Sequence, residues 1–182
     1  MTIRRIGLFV LVLLTLAYPV LIYFSLQRFD PRWLLAMLAA LLGLRGAWAG
    51  WGVMGWGPAL VALGLMAWGR QLSVMLYPVL INGFFLLWFA VSLIRPPSMV
   101  ERLARLSDPD LPPEGVRYTR RVTWVWSGFF LLNGSVAAIT VALGNLELWT
   151  FYNGLLAYLL MGLLMAVEYW VRRRMKRVNG HA

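Results

Sequence analysis

Residues 72–94 read LSVMLYPVLINGFFLLWFAVSLI, and residues 95–105 continue RPPSMVERLAR. The first string carries no formal charge over 23 residues. A membrane-spanning helix needs about 20 mostly apolar residues. Arg95 and the pair Pro96-Pro97 stop the run abruptly. A charge-free run as long as a bilayer is thick, closed by a basic segment, is the signature of a polytopic all-α membrane protein.

Five further segments repeat the pattern, at residues 6–26, 33–50, 53–69, 122–143 and 148–171. Across the 182 residues, 61% are hydrophobic and only 13% charged. Soluble chains carry about 45–50% and about 25%. The expectation is a transmembrane helical bundle of about six spans forming a single membrane domain, residues 1–182. The run from 6 is too long for the roughly 7–15-residue core of a signal peptide, so it reads as an uncleaved first span. Segments 33–50 and 53–69 are the least regular. Six glycines fall between Gly43 and Gly57, and Arg45 interrupts the apolar run. That pair reads equally as a tight hairpin or as a re-entrant loop, with Arg45 snorkelling toward the inner side.

Basic residues collect on the cytoplasmic side of membrane proteins. With the N-terminus inside, 14 of the 17 basic residues fall on inner segments, leaving Arg28, Arg32 and Arg70 outside. A five-span arrangement would put a basic terminus on each side, so six spans with both termini cytoplasmic is expected. Trp33, Trp124, Trp149 and Trp170 fall at span ends, where aromatic belts form. Residues 172–182 form a basic tail.

The longest polar stretch is the inner loop 95–121. Ser98-x-x-Glu101 reads as a capping box opening a short helix. Met99, Val100, Leu103 and Leu106 would share one face and lie in the interface, with Glu101, Arg102 and Arg105 elsewhere. Arg102, Arg105, Arg117, Arg120 and Arg121 then form either an anchor on anionic membrane lipids or a docking surface for an acidic partner.

Polar residues inside spans are the usual functional hints. Asn82, Asn133 and Asn153 each precede a glycine, at Gly83, Gly134 and Gly154. Such steps bring helices close and let an amide bond across the contact. They serve as helix glue or as a polar seam for a substrate headgroup or ion. Glu168, the single acid within a span, sits four residues before Arg172, the favourable order for a helical ion pair. Tyr-Pro-Val-Leu-Ile occurs at 18–22 and 77–81, either as a trace of an inverted repeat or by chance.

Other functions lack their residues. There is no cysteine, and the only histidine is His181. No Gly-rich phosphate loop, nucleophile–base pair or metal-ligand cluster is visible, so no catalytic residue and no cofactor is expected. A formal charge of +10 is split into short inter-span segments rather than one soluble basic face, so nucleic acid is not an expected partner.

The second half carries more specific blocks. They are Pro97–Arg105, Asp110–Thr123, the Gly128-Phe-Phe-Leu-Leu-Asn-Gly134 string, and Tyr152-Asn-Gly-Leu-Leu-Ala-Tyr158. Over roughly residues 75–175 the chain resembles the small bacterial inner-membrane proteins encoded in aryl-polyene pigment gene clusters. That resemblance implies an accessory role beside ketosynthases and acyl carrier proteins, which become the expected partners of the inner loop. Leu111-Pro112, Trp126 and Phe129-Phe130…Asn133 give a fainter similarity to the intracellular septation protein A family, implicated in envelope integrity. Two alternatives stand beside recruitment: a small lipid or polyene translocator using the Asn-Gly sites, and a structural envelope protein.

Overall fold

A computed structural model of the chain describes residues 30–49, 53–67 and 71–179. Every regular element among them is helical. They are α1 (Pro31–Ala49), α2 (Val53–Met66), α3 (Gln71–Ile94), α4 (Met99–Arg105), α5 (Pro113–Ala142), α6 (Leu146–Phe151), a π-helical turn (Tyr152–Leu156) and α7 (Ala157–Asn179). The expected first span 6–26, the first Tyr-Pro-Val-Leu-Ile copy, Arg28, Arg70 and His181 lie outside the described residues.

Among the described residues, three helical runs are long and apolar enough to cross a membrane: Leu72–Ile94, Pro113–Ala142 and Leu146–Arg174. Their outward faces are apolar, with Leu87, Trp124, Leu132, Ile139 and Leu163 all well exposed. Helices that are apolar all round belong in lipid. The chain is a helical membrane protein.

Two boundaries differ from the sequence expectation. Helix α5 starts at Pro113, nine residues before the expected span at 122, so the loop ends at Pro112 and Arg117, Arg120 and Arg121 are helical. Proline at the first helical position loses no hydrogen bond, and Glu114 in the first turn complements the helix dipole. Likewise α7 carries the expected tail on as helix to Asn179.

The α5–α6 turn is built from two local signals. Gly144 adopts φ 65°, the left-handed conformation that closes a helix and that glycine adopts without strain. Asn145 then caps α6, its side-chain oxygen accepting from the Leu148 N–H at 2.9 Å.

Helices α3 and α5 form the central antiparallel pair. The inward face of α5 is a stripe at helical spacing: Thr119, Thr123, Ser127, Phe130, Asn133, Ala137 and Thr140. Aromatic side chains fill the arginine-rich half, where Phe130 stacks on Phe85 and meets Phe89 edge-on. In the other half α1 and α2 form a hairpin whose Leu35, Leu38, Leu42, Ala59 and Ala62 bury against Val74, Met75 and Trp149. The Trp149 indole N–H donates to the Met75 carbonyl at 3.0 Å, tying α6 to α3. The hairpin is short. The 14 residues of α2 rise about 21 Å, less than the roughly 30 Å of a hydrocarbon core.

Candidate functional site

The loop between α3 and α5 is fixed by hydroxyls from the spans on either side. Ser92 near the end of α3 donates to the Phe89 carbonyl and accepts from the Met99 N–H at 2.9 Å. Thr123 of α5 donates to the Thr119 carbonyl and accepts from the Val100 N–H at 3.2 Å. The first N–H groups of a helix lack intrahelical partners. Here two other helices supply them.

The expected capping box opens α4, with Ser98 at the N-cap facing the Glu101 backbone and Glu101 Oε2 accepting from the Ser98 N–H at 3.4 Å.

The burial of α4 departs from the expected apolar face. Met99 points into the aromatic cluster, but Glu101 is buried beside it and Leu106 is exposed. Glu101 tolerates burial because Arg105 wraps it: Nε and Nη2 both donate to Oε1, at 3.0 and 2.9 Å. Arg105 Nη1 also donates to the Pro109 carbonyl at 2.8 Å. Arg102 Nε holds the Pro97 carbonyl at 2.9 Å.

The five predicted arginines therefore divide. Arg105 is spent on the loop's own structure. Arg102 is anchored at Nε yet exposed, and Arg117, Arg120 and Arg121 project from the first turns of α5. Arg117 meets Glu114 at 3.8 Å, but both side chains are exposed, and surface pairs contribute little. Four exposed arginines, Arg102, Arg117, Arg120 and Arg121, thus stand on the fixed loop and the start of α5, and Leu103 and Leu106 of the same loop are exposed as well.

Replacing Glu101 with Ala should loosen this loop. It removes three hydrogen bonds to the carboxylate, two from Arg105 and one from the Ser98 N–H, each worth about 1.5–3 kcal/mol at most, and less where Arg105 meets solvent. Tryptic cleavage after Arg102 and Arg105 should quicken by roughly tenfold, read by the time course of fragment appearance.

Deeper in the bundle lies the polar seam. Asn133 Nδ2 donates to Asn82 Oδ1 at 3.0 Å, and the Tyr152 hydroxyl donates to Asn133 Oδ1 at 2.9 Å. Asn82 Nδ2 ends the chain on the Pro78 carbonyl at 2.7 Å. Asn82 lies twelve residues, about 18 Å, from Ile94, near mid-membrane. Asn153 sits apart from this pair, donating to the Trp149 carbonyl at 2.9 Å and to Thr140 Oγ1 at 3.3 Å. Tyr152 and Asn153 both ride on the π-helical turn. The amides thus bond to one another and to backbone, which is what helix glue requires.

The expected Glu168–Arg172 ion pair is not among the ion pairs of the described residues. Tyr118 of α5 instead donates to Glu168, reaching Oε1 at 3.4 Å and the backbone carbonyl at 3.3 Å. The competing partner lies 50 residues away, so helical spacing alone does not reveal it. Ser92, Thr123, Tyr118 and Tyr152 are the residues that sequence reasoning missed. A signal existed for the first two: isolated hydroxyls at the inner ends of apolar runs.

Among the described residues no group of three or more His, Cys, Asp or Glu side chains converges to hold a metal ion. No protein-family model, curated protein or solved structure matches the chain.

Proposed function

We propose that this is a six-pass bacterial inner-membrane protein, both termini cytoplasmic, that holds its α3–α5 loop as a fixed docking surface for an acidic cytosolic partner. The orientation rests on the arginine asymmetry. It is independent of whether the α1–α2 hairpin crosses fully or re-enters, because either route returns the chain to the same side. The partner class, an acyl carrier protein or the ketosynthase it serves in an aryl-polyene or lipid-like pathway, comes from the resemblance of residues 75–175.

One observation carries the docking assignment: Ser92 and Thr123 lock α4 to the span ends, leaving Arg102, Arg117, Arg120 and Arg121 outward. A loop serving only as a topology signal would need charge but no such lock. Fixed charges raise encounter rates and orient an oppositely charged partner. The protein's role is then non-enzymatic: to place cytosolic enzymes at the bilayer. A translocator would draw on Asn82, Asn133 and Asn153, yet these amides are engaged with protein groups. A structural envelope role predicts a shape defect without pigment loss on deletion.

The test is a pulldown from native membrane extract with wild type and with Arg102, Arg117, Arg120 and Arg121 changed to Gln. Carrier protein or ketosynthase should be captured by wild type, released at raised salt, and lost from the variant. Equal capture by both proteins sinks the docking surface.

A further inference from the structure

We propose that Arg172, Arg173 and Arg174, where the last span leaves the hydrocarbon, form a binding surface for the phosphates of anionic membrane lipids. The surface uses none of the arginines of the loop or of α5, and it stands without the docking reading.

The three arginines directly follow an apolar stretch that closes on Tyr169-Trp170-Val171. Helix α7 does not stop there but runs on to Asn179. The cations are therefore set on continuous helix, in the turn just past the aromatic pair. Two of them fold back on rings four residues earlier. The Arg173 guanidinium lies over the Tyr169 ring at 4.7 Å, and that of Arg174 over the Trp170 ring at 5.6 Å. Both rings are exposed. Exposed Tyr and Trp at the end of a span settle at headgroup level. A guanidinium held on such a ring is held at the same level.

The donors of these guanidiniums are unspent. A ring face attracts the cation but offers no oxygen to its N–H groups. Among the described residues, Arg172, Arg173 and Arg174 donate no hydrogen bond and have no carboxylate within ion-pair reach. Glu168, the acid nearest in sequence, accepts from Tyr118. All three arginines are exposed, as a lipid headgroup requires. Lys176 and Arg177 follow, so this helix end carries five basic residues. Clusters of about four to eight Lys or Arg immediately beyond a span recruit anionic lipid.

Phosphate is the abundant anion of the headgroup layer, and a guanidinium fork matches its oxygens. Phosphatidylglycerol keeps its net negative charge, whereas the ammonium of phosphatidylcholine cancels its own. Successive helical residues point about 100° apart. The three guanidiniums thus serve separate headgroups around the helix rather than converge on one. Those contacts hold the end of α7 at a fixed depth.

The test reads lipid next to this helix end in the full chain. The sequence has no cysteine, so Val167→Cys places one fluorophore about 8 Å along the helix from Arg172. The protein is reconstituted in phosphatidylcholine vesicles with phosphatidylglycerol as the minor lipid. Quenching is compared for either lipid carrying a nitroxide high on its acyl chain, at equal mole fraction. Phosphatidylglycerol should be enriched beside the label and the enrichment should fall at raised salt. Changing Arg172, Arg173 and Arg174 together to Gln should lower it by at least about fivefold, the equivalent of one arginine at the surface. Tyr169→Leu with Trp170→Leu, which keeps every charge, should lower it by roughly threefold. Enrichment kept in the arginine variant overturns the surface. If that variant is not recovered inserted, enrichment unchanged in the ring variant overturns it equally. Equal quenching by the two lipids in wild type also overturns it and leaves these arginines to a soluble acidic partner. Loss of enrichment on adding inorganic phosphate at the concentration of phosphatidylglycerol overturns the assignment to a lipid.

Discussion

Gly134→Leu should destabilise the protein by about 2–4 kcal/mol, the sum of overpacking and one lost interhelical hydrogen bond. The cause is local. A Cβ at residue 134 would stand 2.9 Å from the Asn82 Cβ. That neighbour is bonded directly to the α3 backbone and cannot swing aside as the tip of a side chain would. The central helix pair must separate, and the Asn133–Asn82 bond of 3.0 Å is stretched with it. Gly134→Ala should show the smaller part of the effect, about 1–3 kcal/mol. Adding Asn82→Gly should restore room for the methyl group. Unfolding in mixed micelles, driven by a denaturing detergent, reads the order. A Gly134→Leu protein as stable as wild type would mean that α3 and α5 do not meet here. Gly83 supplies the internal control, because a Cβ there meets nothing within 4 Å.

Asn133→Leu should cost about 2 kcal/mol, because it strands two buried partners rather than one. The Tyr152 hydroxyl loses its acceptor and Asn82 Oδ1 its donor. Asn82→Leu alone strands only Asn133 Nδ2. The double change should therefore cost less than the two singles together, by about 1 kcal/mol of coupling. Strict additivity would show that the two amides do not bond across the helix pair. The same double variant bears on function. If the seam is glue, partner capture persists once the protein is inserted and folded.

Much of this architecture was legible in the sequence, and the exceptions have physical reasons. The apolar run 72–94 and its stop at Arg95-Pro96-Pro97 gave α3 almost to the residue, because hydrocarbon thickness and proline each act locally. The start of α5 was misplaced because Arg117, Arg120 and Arg121 resemble a loop by charge. Helix persistence is not set by charge, and the Pro112-Pro113 step was the truer boundary signal. The buried side of α4 was illegible for another reason. Its own pattern nominates Leu103 and Leu106, but Ser92 and Thr123 decide which way the helix turns. The three Asn-Gly steps look alike in sequence and differ in space. Gly134 faces Asn82 at close range, while Gly83 faces open space. Glu168 shows the same limit: its helical neighbour Arg172 was readable, and the hydroxyl of Tyr118 was not.

The central claim is that the basic loop acts and the amide seam holds the helices together. The most direct measurement is complementation of a deletion strain by two variants, matched for insertion and folded amount, with pathway product as the readout. One carries Asn82→Leu and Asn133→Leu; the other carries Gln at Arg102, Arg117, Arg120 and Arg121. The account predicts that the first restores product and the second does not. Product lost with the asparagine variant and kept with the arginine variant would contradict it and make the seam a path for a substrate.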